Sequence, residues 1–156
     1  MILRPTSLPA KTMAKMNLYK VRSDHGDMVG WPEFVRTIAG VYDGLPPSER
    51  SQTRILVGNY GEAGAIDLYG PRYHLPSALS GHLSYYYWKP PHVVVRALIL
   101  VQVSPSSLGG QCASVKQVAT ITNSLNLQNE EYGESVLLCQ GHINLDRVWT
   151  KQLHYD

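Results

Sequence analysis

Arg54-Ile55-Leu56-Val57-Gly58-Asn59-Tyr60-Gly61-Glu62, followed thirty-odd residues later by the β-branched run from Val93 to Val103, decides the fold. Arg54 to Gly58 is a short apolar run without alternation, the pattern of a strand buried on both faces. It passes through a glycine-bearing polar turn into Glu62 to Tyr69, a predicted helix closed by Gly70-Pro71. Leu75 to Ser80 reads as a second short strand, restricted at its start by Pro76. Val93 to Val103 is the clearest strand, and such an order of strand, helix and strand predicts parallel pairing of the first two strands.

Working outward, Trp31-Pro32-Glu33 opens an amphipathic helix: proline suits its first turn and a carboxylate its positive end. Phe34, Ile38, Val41 and Leu45 recur on one face until Gly44-Leu45-Pro46-Pro47 stops the run. Downstream, Val115 to Thr122 and Ser135 to Cys139 read as weaker strands around a polar loop, Asn123 to Gly133. Asn144 to Lys151 reads as a closing helix capped by Asn144, with Leu145, Val148 and Trp149 turned inward. Residues 1–27 show no sustained periodicity and read as an irregular N-terminal arm. The predicted architecture is a single α/β domain over residues 28–156, a sandwich with a largely parallel sheet flanked by helices.

Composition narrows the function. The 156 residues, 44% hydrophobic and 17% charged, belong to a globular chain rather than a disordered one. A net charge of +2, with Lys and Arg scattered, excludes a nucleic-acid partner. No apolar run is long enough to span a bilayer, and residues 1–10 lack a signal-peptide pattern. Cys112 and Cys139 suit either a disulfide or two buried thiols.

Ligands of open parallel sheets bind beyond the carboxyl ends of the strands. Asn59, Tyr60 and Glu62 follow the first strand, Ser80 and His82 follow the second, and Tyr85 to Trp88 come next as an aromatic roof. Asn59, Tyr60, Glu62, Ser80, His82, Tyr85 and Trp88 are therefore the candidate ligand-binding residues. The bland alternative is that these are turn and cap residues, since Asn and Gly commonly end strands and an acidic first helical turn is favoured electrostatically. Sharper motifs fail. Gly58, Gly61 and Gly64 are not the dinucleotide fingerprint, and Ser80 lacks a nucleophile elbow. The six histidines have no metal-ligand spacing, so no catalytic residue, metal or cofactor is assigned.

The stretch Asn59 to Gly70, with Leu75 to His82 and Tyr85 to Trp88, resembles the C-terminal soluble region of bacterial membrane glycosyltransferases. These are relatives of the dolichyl-phosphate-mannose protein mannosyltransferases (the family 39 type). The likeness runs from Gly30-Trp31-Pro32-Glu33 through Leu45 to Arg50, the Val93 to Val103 strand, Leu138-Cys139 and the Trp149 to Tyr155 ending. Lys89-Pro90-Pro91 departs from it, where relatives carry Gly-Pro. The resemblance implies an extracytoplasmic accessory domain whose partner is the membrane-embedded catalytic region of the same parent chain. It further implies contact with a sugar or lipid-linked sugar headgroup, and Leu3 to Ala10 as part of a juxtamembrane link. The enzymes' catalytic carboxylate lies in a membrane-helix loop that has no counterpart here. The competing expectation is a free-standing small α/β hydrolase or transferase using Glu62 and His82 as acid and base.

Overall fold

The computed structural model describes residues 29–88, 92–150 and 153–155. The irregular arm expected over residues 1–27 and the departing Lys89-Pro90-Pro91 lie outside them. Helix α1 (Trp31–Asp43) starts with proline in its first turn and buries Phe34, Val35, Ile38 and Ala39, a stripe of helical period. A one-turn helix, α2 (Pro47–Arg50), leads into β1 (Thr53–Val57), then α3 (Tyr60–Tyr69) and β2 (Ala78–Ser80). After a 3-10 turn (Leu83–Tyr87) come β3 (Val94–Val101), β4 (Ser114–Thr120), β5 (Ser135–Asn144) and α4 (Leu145–Val148).

The strands form one mixed sheet in the order β2-β1-β3-β5-β4. β1 lies parallel to both neighbours, pairing Leu56 with Leu79 and with Leu100, as its unbroken apolar run requires. β5 is antiparallel to both of its neighbours. The sheet is therefore parallel only around β1, not largely parallel throughout. The reason lies in the connections. β3 and β5 are linked through the edge strand β4 and loops, with no crossover helix to return the chain in the same direction.

Alternate side chains of the central strands serve two apolar clusters. Ile55, Val57, Ile99 and Val101 pack with Phe34, Ile38, Ala63 and Ile66 of α1 and α3. Leu56, Leu98, Leu100 and Ile143 pack with Leu108, Leu145, Val148 and Trp149. The second cluster is roofed by short turns. The helix expected from Asn144 to Lys151 is a single turn, its Asn144 side chain accepting from the Asp146 amide at 2.9 Å. Cys112 and Cys139 are joined by a disulfide, with Cα atoms 5.3 Å apart, tying the segment before β4 to the buried middle of β5.

Candidate functional site

At the carboxyl end of β1 the chain turns into α3 through a capping box. The Asn59 side chain accepts from the Glu62 amide at 2.9 Å, and Glu62 Oε2 accepts from the Asn59 amide at 3.1 Å. The same Oε2 accepts from the Gly58 amide at 2.9 Å. Glu62 is 0% exposed, and its Oε1 has no hydrogen-bond partner among the described residues. Burial pushes this carboxyl up to about 8, against the two amide hydrogen bonds and with the help of neighbouring Glu131 and Glu130. At neutral pH Glu62 is a protonated acid closing a turn. It is fully shielded from solvent.

Ser80 and His82 are brought to the same place. The Ser80 hydroxyl donates to the Gly58 carbonyl at 3.4 Å and accepts from the His82 amide at 3.2 Å, which ties the two strand ends together. His82 Nδ1 accepts from the Tyr60 amide at 3.2 Å, so the neutral ring carries its proton on Nε2. Its ring stacks on Tyr155 (centroids 4.5 Å apart, planes within 6°) and leans against Tyr60 at 5.2 Å. Tyr60 is 56% exposed and Tyr155 46% exposed, with the half-buried His82 between them, so the group meets solvent chiefly through the two tyrosine rings. Burial, with Glu62 and Glu130 nearby, pushes the Tyr155 hydroxyl upward, and it stays protonated at neutral pH.

Tyr155 reaches this site because the C-terminal segment runs beside Gly81 to Leu83. The Leu83 amide donates to the Tyr155 carbonyl at 2.9 Å and the Tyr155 amide to the Gly81 carbonyl at 3.2 Å. Only glycine fits at position 81, where an added Cβ would lie 1.9 Å from the Leu153 carbonyl oxygen. On the other flank Gly58 backs directly onto Gln102, whose Cβ would be 2.6 Å from a Cβ at 58. Gln102, itself at a left-handed φ of 53°, accepts from Asn59 Nδ2 at 3.4 Å and donates to the Glu130 carbonyl at 3.3 Å. The strand order reverses between β1 and β3, where a parallel sheet opens a crevice for ligands. Here Gly58 and Gln102 approach closely at that point.

The expected aromatic roof sits elsewhere. The Tyr85 hydroxyl donates to Asp67 Oδ2 at 3.0 Å, roughly 10 Å along α3 from Tyr60 at the helical rise. Its hydroxyl is pushed up to about 12 by burial and that carboxylate. Trp88 packs edge-on to Tyr85 at 4.8 Å, and among the described residues neither ring touches the His82 group. Sequence reasoning missed Tyr155, Gln102 and Glu130, which arrive from distant segments with no local motif.

Residue 29 enters the fold near this end. Asn129 Nδ2, next to Glu130, donates to the Val29 carbonyl at 3.0 Å, and Trp31 packs close to Gly61. Among the described residues, no three His, Cys, Asp or Glu side chains are grouped to hold a metal. None of the described helices is long and apolar enough to cross a membrane. Comparison with protein families, with curated proteins and with solved structures finds no match.

Proposed function

We propose that this chain is the extracytoplasmic accessory domain of a polyprenyl-phosphate-sugar-dependent membrane glycosyltransferase. In this reading it contacts the donor headgroup or the acceptor and does not catalyse transfer alone. The observation that carries the reading is the Tyr60–His82–Tyr155 face: exposed rings beside hydrogen-bonding edges suit a sugar, whose faces are apolar and whose rim is hydroxylated. The resemblance of Asn59 to Gly70 and Leu75 to His82 supplies the enzyme class.

Three further observations support it. The Cys112–Cys139 disulfide fits an oxidising compartment outside the cytoplasm. The first described residues join the fold near the ring face, with the Val29 carbonyl accepting from Asn129 and Trp31 packed close to Gly61, which is compatible with reading the preceding segment as a juxtamembrane link. Glu62 is sealed inside a capping box and Ser80 is spent on turn hydrogen bonds, which argues against a free-standing enzyme built on Glu62 and His82. The finer fold reading, a single-domain sandwich over residues 28–156, draws support from an apolar cluster on each face of the sheet.

The test is sugar transfer by the parent enzyme carrying Tyr60→Ala or Tyr155→Ala. Loss of one stacking ring costs about 1 kcal/mol, so transfer should fall roughly five- to tenfold at limiting donor or acceptor. The melting temperature should stay within a few degrees. Unchanged transfer in both variants would contradict the reading.

A further inference from the structure

At the opposite end of the parallel strands, the amino ends of β1 and β3 border a cleft of about 510 Å³. That volume lies within the range of small-molecule sites. One wall is a β-bulge. β3 pairs Val95 with Ile143 and Ala97 with Gln140, so Arg96 alone opposes Gly141 and His142. Bulges re-aim side chains that a regular ladder would send elsewhere.

The bulge is held on both sides. A Cβ on Gly141 would lie 2.7 Å from the Gln111 carbonyl oxygen, so the segment before β4 presses directly on it. The Gln52 carbonyl accepts from both the Arg96 amide (2.8 Å) and the Ala97 amide (3.4 Å), pinning the turn before β1 to the bulge. Gln140 Nε2 donates to Glu49 Oε2 at 3.4 Å across the cleft. Arg96 and His142 line this space and are both exposed, and among the described residues neither side chain has a hydrogen-bond or ion-pair partner.

We propose that this cleft is a second binding site, for a small ligand that joins an oxyanion to hydroxyl groups, a sugar phosphate by chemical class. Arg96 supplies a planar, permanently charged fork for the oxyanion, with His142 as a further donor. Glu49 and Gln52 supply acceptors for hydroxyls on the same ligand, a role a bare anion could not use. The site is separate from the Tyr60–His82–Tyr155 face and does not depend on the function proposed for it.

The test is an amide-resolved NMR titration of the whole chain with glucose 1-phosphate, with inorganic phosphate and glucose as separate arms. The expected result is saturable shifts at Gln52, Arg96, Gln140, Gly141 and His142. Glucose 1-phosphate should bind at least tenfold more tightly than either fragment. Arg96→Gln should weaken it at least tenfold and His142→Gln more modestly, with the remaining spectrum unchanged. The absence of saturable shifts, shifts confined to other surfaces, or equal binding by both variants would overturn the proposal. Equal affinity for phosphate and glucose 1-phosphate would overturn it as well, since the acceptors would then have no part.

Discussion

Replacing Glu62 by Gln separates a buried capping acid from a catalytic one through the pH dependence of stability. In the unfolded chain Glu62 titrates near its ordinary value of 4.5, and in the fold near about 8. Below pH 4.5 both states hold the proton. Between 4.5 and 8 only the folded state holds it, so folding takes up a proton and stability falls as pH rises. Above about 8 both states are ionised and the contribution is lost. The whole span corresponds to roughly 5 kcal/mol. Gln keeps an acceptor for the Gly58 and Asn59 amides, does not titrate, and puts two unpartnered N–H donors where the protonated acid has one O–H, the extra buried donor costing about 1–3 kcal/mol. The wild type should therefore be the more stable protein at pH 5 and the variant at pH 9. Urea denaturation followed by tryptophan fluorescence at each pH reads this crossing. Parallel stability curves for the two proteins between pH 5 and 9 would refute the buried-acid argument.

Three other outcomes follow from the same geometry. Reducing or replacing the Cys112–Cys139 bond, which closes a 27-residue separation, should cost about 3–4 kcal/mol by loop-closure entropy, read as a lower denaturation midpoint; an unchanged midpoint would count against a disulfide that stabilises the fold. Gly81→Ala must displace the Leu153 carbonyl, destabilising the fold by about 1–3 kcal/mol and shifting the His82 ring protons as Tyr155 moves away; unchanged ring shifts would speak against the stack. The purified chain should transfer no sugar from a polyprenyl-phosphate donor, and turnover abolished by Glu62→Gln would reverse the assignment of that residue.

The parallel half of the fold was readable because β1 and β3 are buried on both faces, and continuous apolar runs such as Ile55-Leu56-Val57 have no other use. The antiparallel half was harder. β5 continues past Cys139 to Asn144, but the bulge at Gly141 and His142 breaks its pattern, and β4 is exposed along nearly its whole length. β2 shrank to Ala78–Ser80 because Pro76 keeps the preceding residues out of the ladder. At the carboxyl edge, Asn59, Glu62, Ser80 and His82 lie together because adjacent parallel strands deliver their following turns to one edge, whereas Tyr85 and Trp88, expected beside them, pack along α3 instead. What the sequence could not reveal was division of labour. Burial made Glu62 and Ser80 into fasteners, the half-buried His82 ties the Tyr60 turn to the second strand end, and exposure left Tyr60 and Tyr155 as surface. Tyr155 lies 73 positions beyond His82, and only its pairing with the Gly81 to Leu83 segment brings it there.

The proposed role of the aromatic face at the carboxyl edge is to hold a sugar without acting on it. Its most direct test is a titration of this chain with a water-soluble polyprenyl-phosphate-sugar analogue, followed by the ring proton signals of Tyr60, His82 and Tyr155. Saturable shifts are expected at these three rings, lost in the Tyr60→Ala, Tyr155→Ala double variant, with the analogue recovered intact. Rings that do not respond at saturating analogue, or an analogue that is cleaved during the titration, would contradict it.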